Sequence, residues 1–186
     1  MKKKHIWVIA AGAVLLIACI VLAVLVSNFM RDGVHILGRY AHISFQKTCY
    51  FIEGDTLSNL SVSGSSTFTV NGYFHDTGKG DSTGKETSPF DGHMEVAAHP
   101  MSLEEGYKNH FGSIFDSQIL LTSQGIDMIR PDSHTYYTVN ILRSNPDVVV
   151  IHIYTVGGAT ILAVCGESEE NALSNYRTYM KEIYGK

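Results

Sequence analysis

The residues best placed to do chemistry are His93, Glu95 and His99, which alternate along one short apolar stretch. A strand sets positions i and i+2 side by side on one face, so His93 and Glu95 would present an imidazole and a carboxylate together. Zinc takes three or four such ligands. His99 is a third candidate and His152, followed by Tyr154, a distant fourth, but no spacing in the chain ties them together. Histidines hydrogen-bonded within the domain or facing solvent are the competing reading. Hydrolytic signatures are absent: there is no G-x-S-x-G elbow and no H-E-x-x-H helix. Cys165 with His152 imitates a nucleophile pair, although a buried structural cysteine accounts for the same residue. Tyr136, Tyr137, Tyr154, Tyr176, Tyr179 and Tyr184 offer a sugar or peptide platform, but the last three fall on a helical stripe and are expected to pack internally.

The run Asp76–Ser88, DTGKGDSTGKETS, has no apolar side chain and therefore belongs to an exposed hairpin or lid loop. Its glycines and lysines imitate a phosphate loop, yet Lys85 is followed by Glu86 rather than Ser or Thr, and the glycine separation is wrong. The alternating oxygen ligands of a calcium loop are missing as well. Asp76, Lys79, Asp81 and Lys85 remain as the residues of a candidate flap. No cofactor is predicted.

These residues need elements to hold them. HISFQKTCYFI (residues 42–52) alternates as a strand, with Ile43, Phe45 and Lys47 on one face, and STFTVNGYF follows it as another. Phe90 to Ala98 resumes the pattern. Ser102 with Glu105 matches a capping box, and Leu103, Tyr107, Phe111 and Ile114 recur at helical intervals, so the spacing predicts a helix over 103–116. Gly106 and Gly112 weaken it by about 1 kcal/mol each. Five β-like segments follow, broken at Gln124-Gly125, Pro131-Asp132, Asn145-Pro146-Asp147 and Gly157-Gly158, the last a two-residue hairpin turn. VVVIHI is apolar on both faces, as a strand covered on both sides would be. Ser168 caps a final amphipathic helix over 169–184. The expected fold class is α+β: a mainly antiparallel β-sheet domain with two packed helices, in the order β-β-β-α-β-β-β-β-β-α, with a β-sandwich-like arrangement carrying a C-terminal helix as the alternative.

The domain is expected to begin only after a membrane segment. Of the 21 residues Ile6–Val26, 20 are apolar, against 62 of the 160 from Ser27 onward. About 20 such residues span about 30 Å of hydrocarbon. The resulting division is a basic tail (1–5), a transmembrane helix (6–26), a juxtamembrane linker (27–41) and an extracytoplasmic domain (42–186). Lys2, Lys3 and Lys4 place the N-terminus in the cytoplasm by the positive-inside rule. Two processing alternatives stand beside this signal-anchor. Leu16-Ile17-Ala18-Cys19 resembles a bacterial lipobox, which would make Cys19 a lipidation site, and the small residues near Ala23 permit cleavage and secretion.

Outside the tail and span there are 11 basic and 18 acidic residues, a formal charge of −7, with no basic cluster. Nucleic-acid binding is thereby excluded, since phosphate neutralisation needs concentrated positive charge. Cys49 and Cys165 are the remaining cysteines; an oxidising exterior permits a disulfide between them, and two separately buried thiols are the other reading. One anchor, a small acidic exterior domain and no catalytic constellation lead to the expectation of a protein-interaction or assembly domain whose partners are the lipid bilayer and an envelope protein. An envelope ligand-binding module for carbohydrate, peptide or ion comes next, and an exported hydrolase last.

Overall fold

The computed structural model describes residues 2–54, 56–77, 88–97, 109–126, 134–154 and 160–186. An apolar helix, α1 (Lys2–Phe29), is followed by nine strands: β1 (Gly33–Leu37), β2 (Tyr40–Glu53), β3 (Ser61–His75), β4 (Ser88–Val96), β5 (Asn109–Ile114), β6 (Gln118–Ile126), β7 (His134–Leu142), β8 (Val149–Tyr154) and β9 (Thr160–Cys165). A second helix, α2 (Glu169–Tyr184), ends the chain. From Gly12 onward α1 is exposed along its apolar length, and nothing among the described residues covers that stretch.

Every strand pairs antiparallel with its sequence neighbours. One additional ladder, β2 with β9, joins Cys49–Ile52 to Cys165–Leu162 and closes β2 through β9 into a ring. Such closure removes the free edges that an open sheet must otherwise protect. The alternation along each strand then has a direct meaning: one face fills the ring and the other looks outward. Ile43, Phe68, Val70, Met94, Leu121, Val139, Ile151, Ala163 and both cysteines are buried in the inner cluster. A second cluster lies outside the wall, where Val150, Val164 and Ile52 meet Ala172 and Tyr179 of α2. The apolar-on-both-faces reading of β8 is explained by this arrangement: Val149, Ile151 and Ile153 point into the ring and Val150 lies under the helix.

Among the described residues the ring is thinnest between β4 and β5, where two pairs are formed, Ser88↔Gly112 and Pro89↔Phe111. Aromatic rings fill that corner because glycine leaves room for them. A Cβ on Gly112 would lie 2.6 Å from the Phe74 ring, and one on Gly72 2.6 Å from the Phe90 ring. Phe74 and Phe90 in turn face each other at 6.4 Å.

Three expectations change. Residues 109–114 of the expected helix form strand β5, and 103–108 lie outside the described residues. Gly112 shares the inward side of this strand with Ile114 and carries no side chain, so the period-2 signal is weakened. Gln124-Gly125 is not a break: β6 runs through it and pairs Gly125 with Thr135 and Ile126 with His134. The expected linker 27–41 instead contains the end of α1 and the whole of β1, which pairs with β2 from Gly33↔Ser44 to Leu37↔Tyr40. The Gly157-Gly158 turn lies outside the described residues.

The C-terminal helix forms over the expected residues. Asn171 N–H donates to the Ser168 hydroxyl at 3.2 Å, Glu169 and Glu170 occupy the first turn, and Gly185 closes the helix in the left-handed region at φ 66°. Both ends are therefore satisfied by the local sequence.

Candidate functional site

Strand β2 is longer than either neighbour on its outer edge, and this produces the main irregularity in the wall. β1 pairs with it only as far as Ser44, while β9 begins at Cys49, with the Gly166 N–H donating to the Thr48 carbonyl at 3.0 Å. Among the described residues, no strand lies beside Phe45–Lys47 on that edge. Since the Thr48 carbonyl faces the edge, so do the N–H and C=O of Gln46 two residues earlier. Here the backbone of β2 opens on a surface depression.

That depression is a polar cleft of about 550 Å³ whose lining includes Gln46, Lys47, Asn145, Asp147, Glu167 and Asn175. A groove of about 450 Å³, lined by Asp32, Ser44, Asn71 and again Gln46, lies on the other side of the same residue. Three elements build the cleft. β2 supplies the open edge. The turn between β7 and β8 brings Asp147, whose N–H is held by the Asn145 side chain at 3.2 Å. The start of α2 brings Asn171 and Asn175; the Asn175 amide donates to the Cys165 carbonyl at 2.9 Å and so fixes the helix to the end of β9.

Lys47 bridges the cleft floor. Its Nζ lies 2.7 Å from Asp147 Oδ1 and 5.2 Å from the centre of the Phe45 ring. A lysine in register with the core-facing residues Ile43 and Phe45 needs a counter-charge, and Asp147, 100 residues away, provides it. The ion pair is largely exposed on the aspartate side, so it contributes position more than stability. Asn145 and Asp147 read in sequence only as a turn; the single hint of this site was a lysine interrupting an inward-facing row.

The other candidate residues disperse around the ring. His93 Nε2 and Glu95 Oε2 are 3.2 Å apart on the outer, exposed face of β4. His99 lies outside the described residues, and among those described no group of three or more His, Cys, Asp or Glu side chains is arranged to hold a metal. His152 is on β8, its ring 6.4 Å from Tyr154, and burial lowers its pKa. Cys165 is bonded to Cys49 across the β2–β9 seam, both fully buried. A bonded sulfur removes it from nucleophile chemistry with His152. Cys19 is a free, exposed thiol on α1. Of the flap residues, Asp76 Oδ2 accepts the Ile114 N–H at 3.0 Å, tying the start of that loop to β5; Lys79, Asp81 and Lys85 lie outside the described residues.

The apolar N-terminal helix, an anchor or a signal sequence, and the disulfide together point to an extracytoplasmic domain, membrane-anchored or secreted. Compared with protein-family models, with curated proteins and with solved structures, the chain finds no match in any of the three.

Proposed function

We propose that this chain is a single-pass membrane protein, N-terminus cytoplasmic, whose exterior barrel binds an extended segment of an envelope protein along the open edge of β2. The observation that carries the reading is the unpaired Phe45–Lys47 edge beside a polar cleft. Strand addition supplies main-chain hydrogen bonds from the edge and leaves selectivity to neighbouring side chains. Gln46 offers the backbone donor and acceptor, while Lys47, Asp147 and Glu167 offer charges of both signs to the incoming chain.

The test places a photo-crosslinking residue at Glu167 in the full-length protein in native membranes, with exposed Ser174 on α2 as the control position. A discrete protein adduct is expected from position 167 and not from 174. Gln46→Pro removes the N–H that faces the open edge without breaking a β2–β3 bond, and is expected to abolish the adduct. An adduct that persists in Gln46→Pro, or equal labelling from both positions, sinks the reading.

The anchor is tested separately. Cys19→Ser is expected to leave mass and membrane retention unchanged, and external protease is expected to digest the domain on intact cells. Release of Cys19→Ser into the soluble fraction would support lipidation instead, and a soluble wild-type domain would support cleavage.

A further inference from the structure

The joint between α1 and the sheet is short and unusually built. Only Met30, Arg31 and Asp32 separate the helix from β1. Three residues reach about 10 Å at most, so the position of the domain relative to the helix depends on how the end of α1 sits against β1 and β2. What it sits on is a histidine. Phe29, the last residue of α1, lies 5.8 Å from the His42 ring, and His35, the register partner of His42 on β1, is stacked with it at 6.4 Å. His42 is 4% exposed, and its Nδ1 is buried with no hydrogen-bond partner among the described residues.

We propose that this contact is a proton-operated latch, which docks the end of the membrane helix on β1 and β2 when His42 is neutral and releases it when His42 is charged.

The chemistry follows from the ring's surroundings. A neutral imidazole tolerates a buried acceptor nitrogen without a partner at modest cost. Protonation makes the ring a buried cation with little water around it; the backbone carbonyls of Phe29 and Arg31 can accept from the charged ring, but they do not make up for the lost solvation. His35 worsens the balance by bringing a second titratable ring alongside. Burial is the largest influence on His42 and His35 the next; both lower its pKa, and they outweigh the backbone of Phe29 and Arg31 and the Asp32 carboxylate, which raise it. Asp32 is itself occupied: its Oδ1 accepts the Ser44 hydroxyl at 2.9 Å, and its carbonyl lies 3.2 Å from His35 Nε2. From β3 the cross-strand neighbour is Tyr73, whose hydroxyl donates to Asp91 at 2.7 Å, and along β2 the nearest ring is Tyr40, stacked on His75 at 4.4 Å. None of these turns an anion onto Nδ1.

Because the docked state holds His42 below its ordinary value, docking is complete above about pH 6.5 and weakens as the pH falls below it. Charged His42 moves outward, Phe29 loses its platform, and β1, paired on one edge only, loosens with it.

Hydrogen exchange on the full-length protein in lipid nanodiscs tests this. Between about pH 7.5 and about pH 5, after correction for intrinsic exchange, β1 amides are expected to lose about tenfold or more of their protection. Those of β8, deep in the ring, should not change. His42→Phe, which keeps an aromatic ring under Phe29, should hold β1 protection constant. Equal β1 protection at both values in the wild type overturns the latch, as does an undiminished pH response in His42→Phe. Should His42→Phe lose β8 protection through misfolding, the imidazole NMR titration of the wild-type chain decides: a midpoint below that of exposed histidines supports the latch, and one at or above it refutes it.

Discussion

Replacing Cys49 and Cys165 together with alanine is expected to cost about 2–5 kcal/mol of unfolding free energy, measured by urea titration of the domain. The bond joins residues 116 apart, so it restricts a long loop of the unfolded chain, where the entropic effect is near its largest. Its position adds a second reason. β2 and β9 meet over the four pairs from Cys49↔Cys165 to Ile52↔Leu162, and this short ladder alone turns an open sheet into a ring. The wild-type protein titrated with reductant should show a similar loss, and reductant should not affect the double variant. A midpoint that hardly moves in either experiment would mean that the seam is held by packing alone.

Tyr179→Ala is expected to cost about 3–5 kcal/mol, as removal of a buried aromatic does. Tyr179 is 2% exposed and is the largest buried side chain between α2 and the outer surface of the wall. It lies 6.4 Å from Tyr176 and 6.0 Å from Tyr184, so its loss removes the centre of an aromatic row. Tyr179→Phe separates packing from the hydroxyl and should cost only about 1 kcal/mol. Burial, then the hydrogen bond with Tyr184, raises the Tyr179 pKa above the ordinary tyrosine value. Its folded-state advantage is thus fully present below about pH 10 and is lost as the pH rises from there toward the raised value. Thermal melts of wild type and Tyr179→Phe across that alkaline range should converge. If Tyr179→Ala unfolds at the wild-type midpoint, α2 is not integral to the domain.

How much of this was legible depended on whether local sequence carried the constraint. The helix over 169–184 was readable because Ser168, the acidic first turn and the stripe ending at Ile183 all lie within it. The coverage of β8 on both faces was readable because it is written in consecutive residues. β5 was not, since the space at one of its inner positions is filled by Phe74 from β3, leaving Gly112 with no signal of its own. Ring closure was equally hidden: nothing local announces that β9 returns to β2. The cleft was the least visible, because its parts come from Gln46, Asp147 and Asn175 and gain meaning only from the ladder endings at Ser44 and Cys49.

The seam also sets an order of events during synthesis. β2 emerges early, and the strand that must lie beside it comes last before the final helix. Contacts so distant in sequence form slowly, and an unpaired strand edge is open to other chains meanwhile. On the proposed topology, the sheet cannot seal until nearly the whole domain has crossed the bilayer. A nascent chain stalled before Thr160 would present the full outer edge of β2 beyond Ser44.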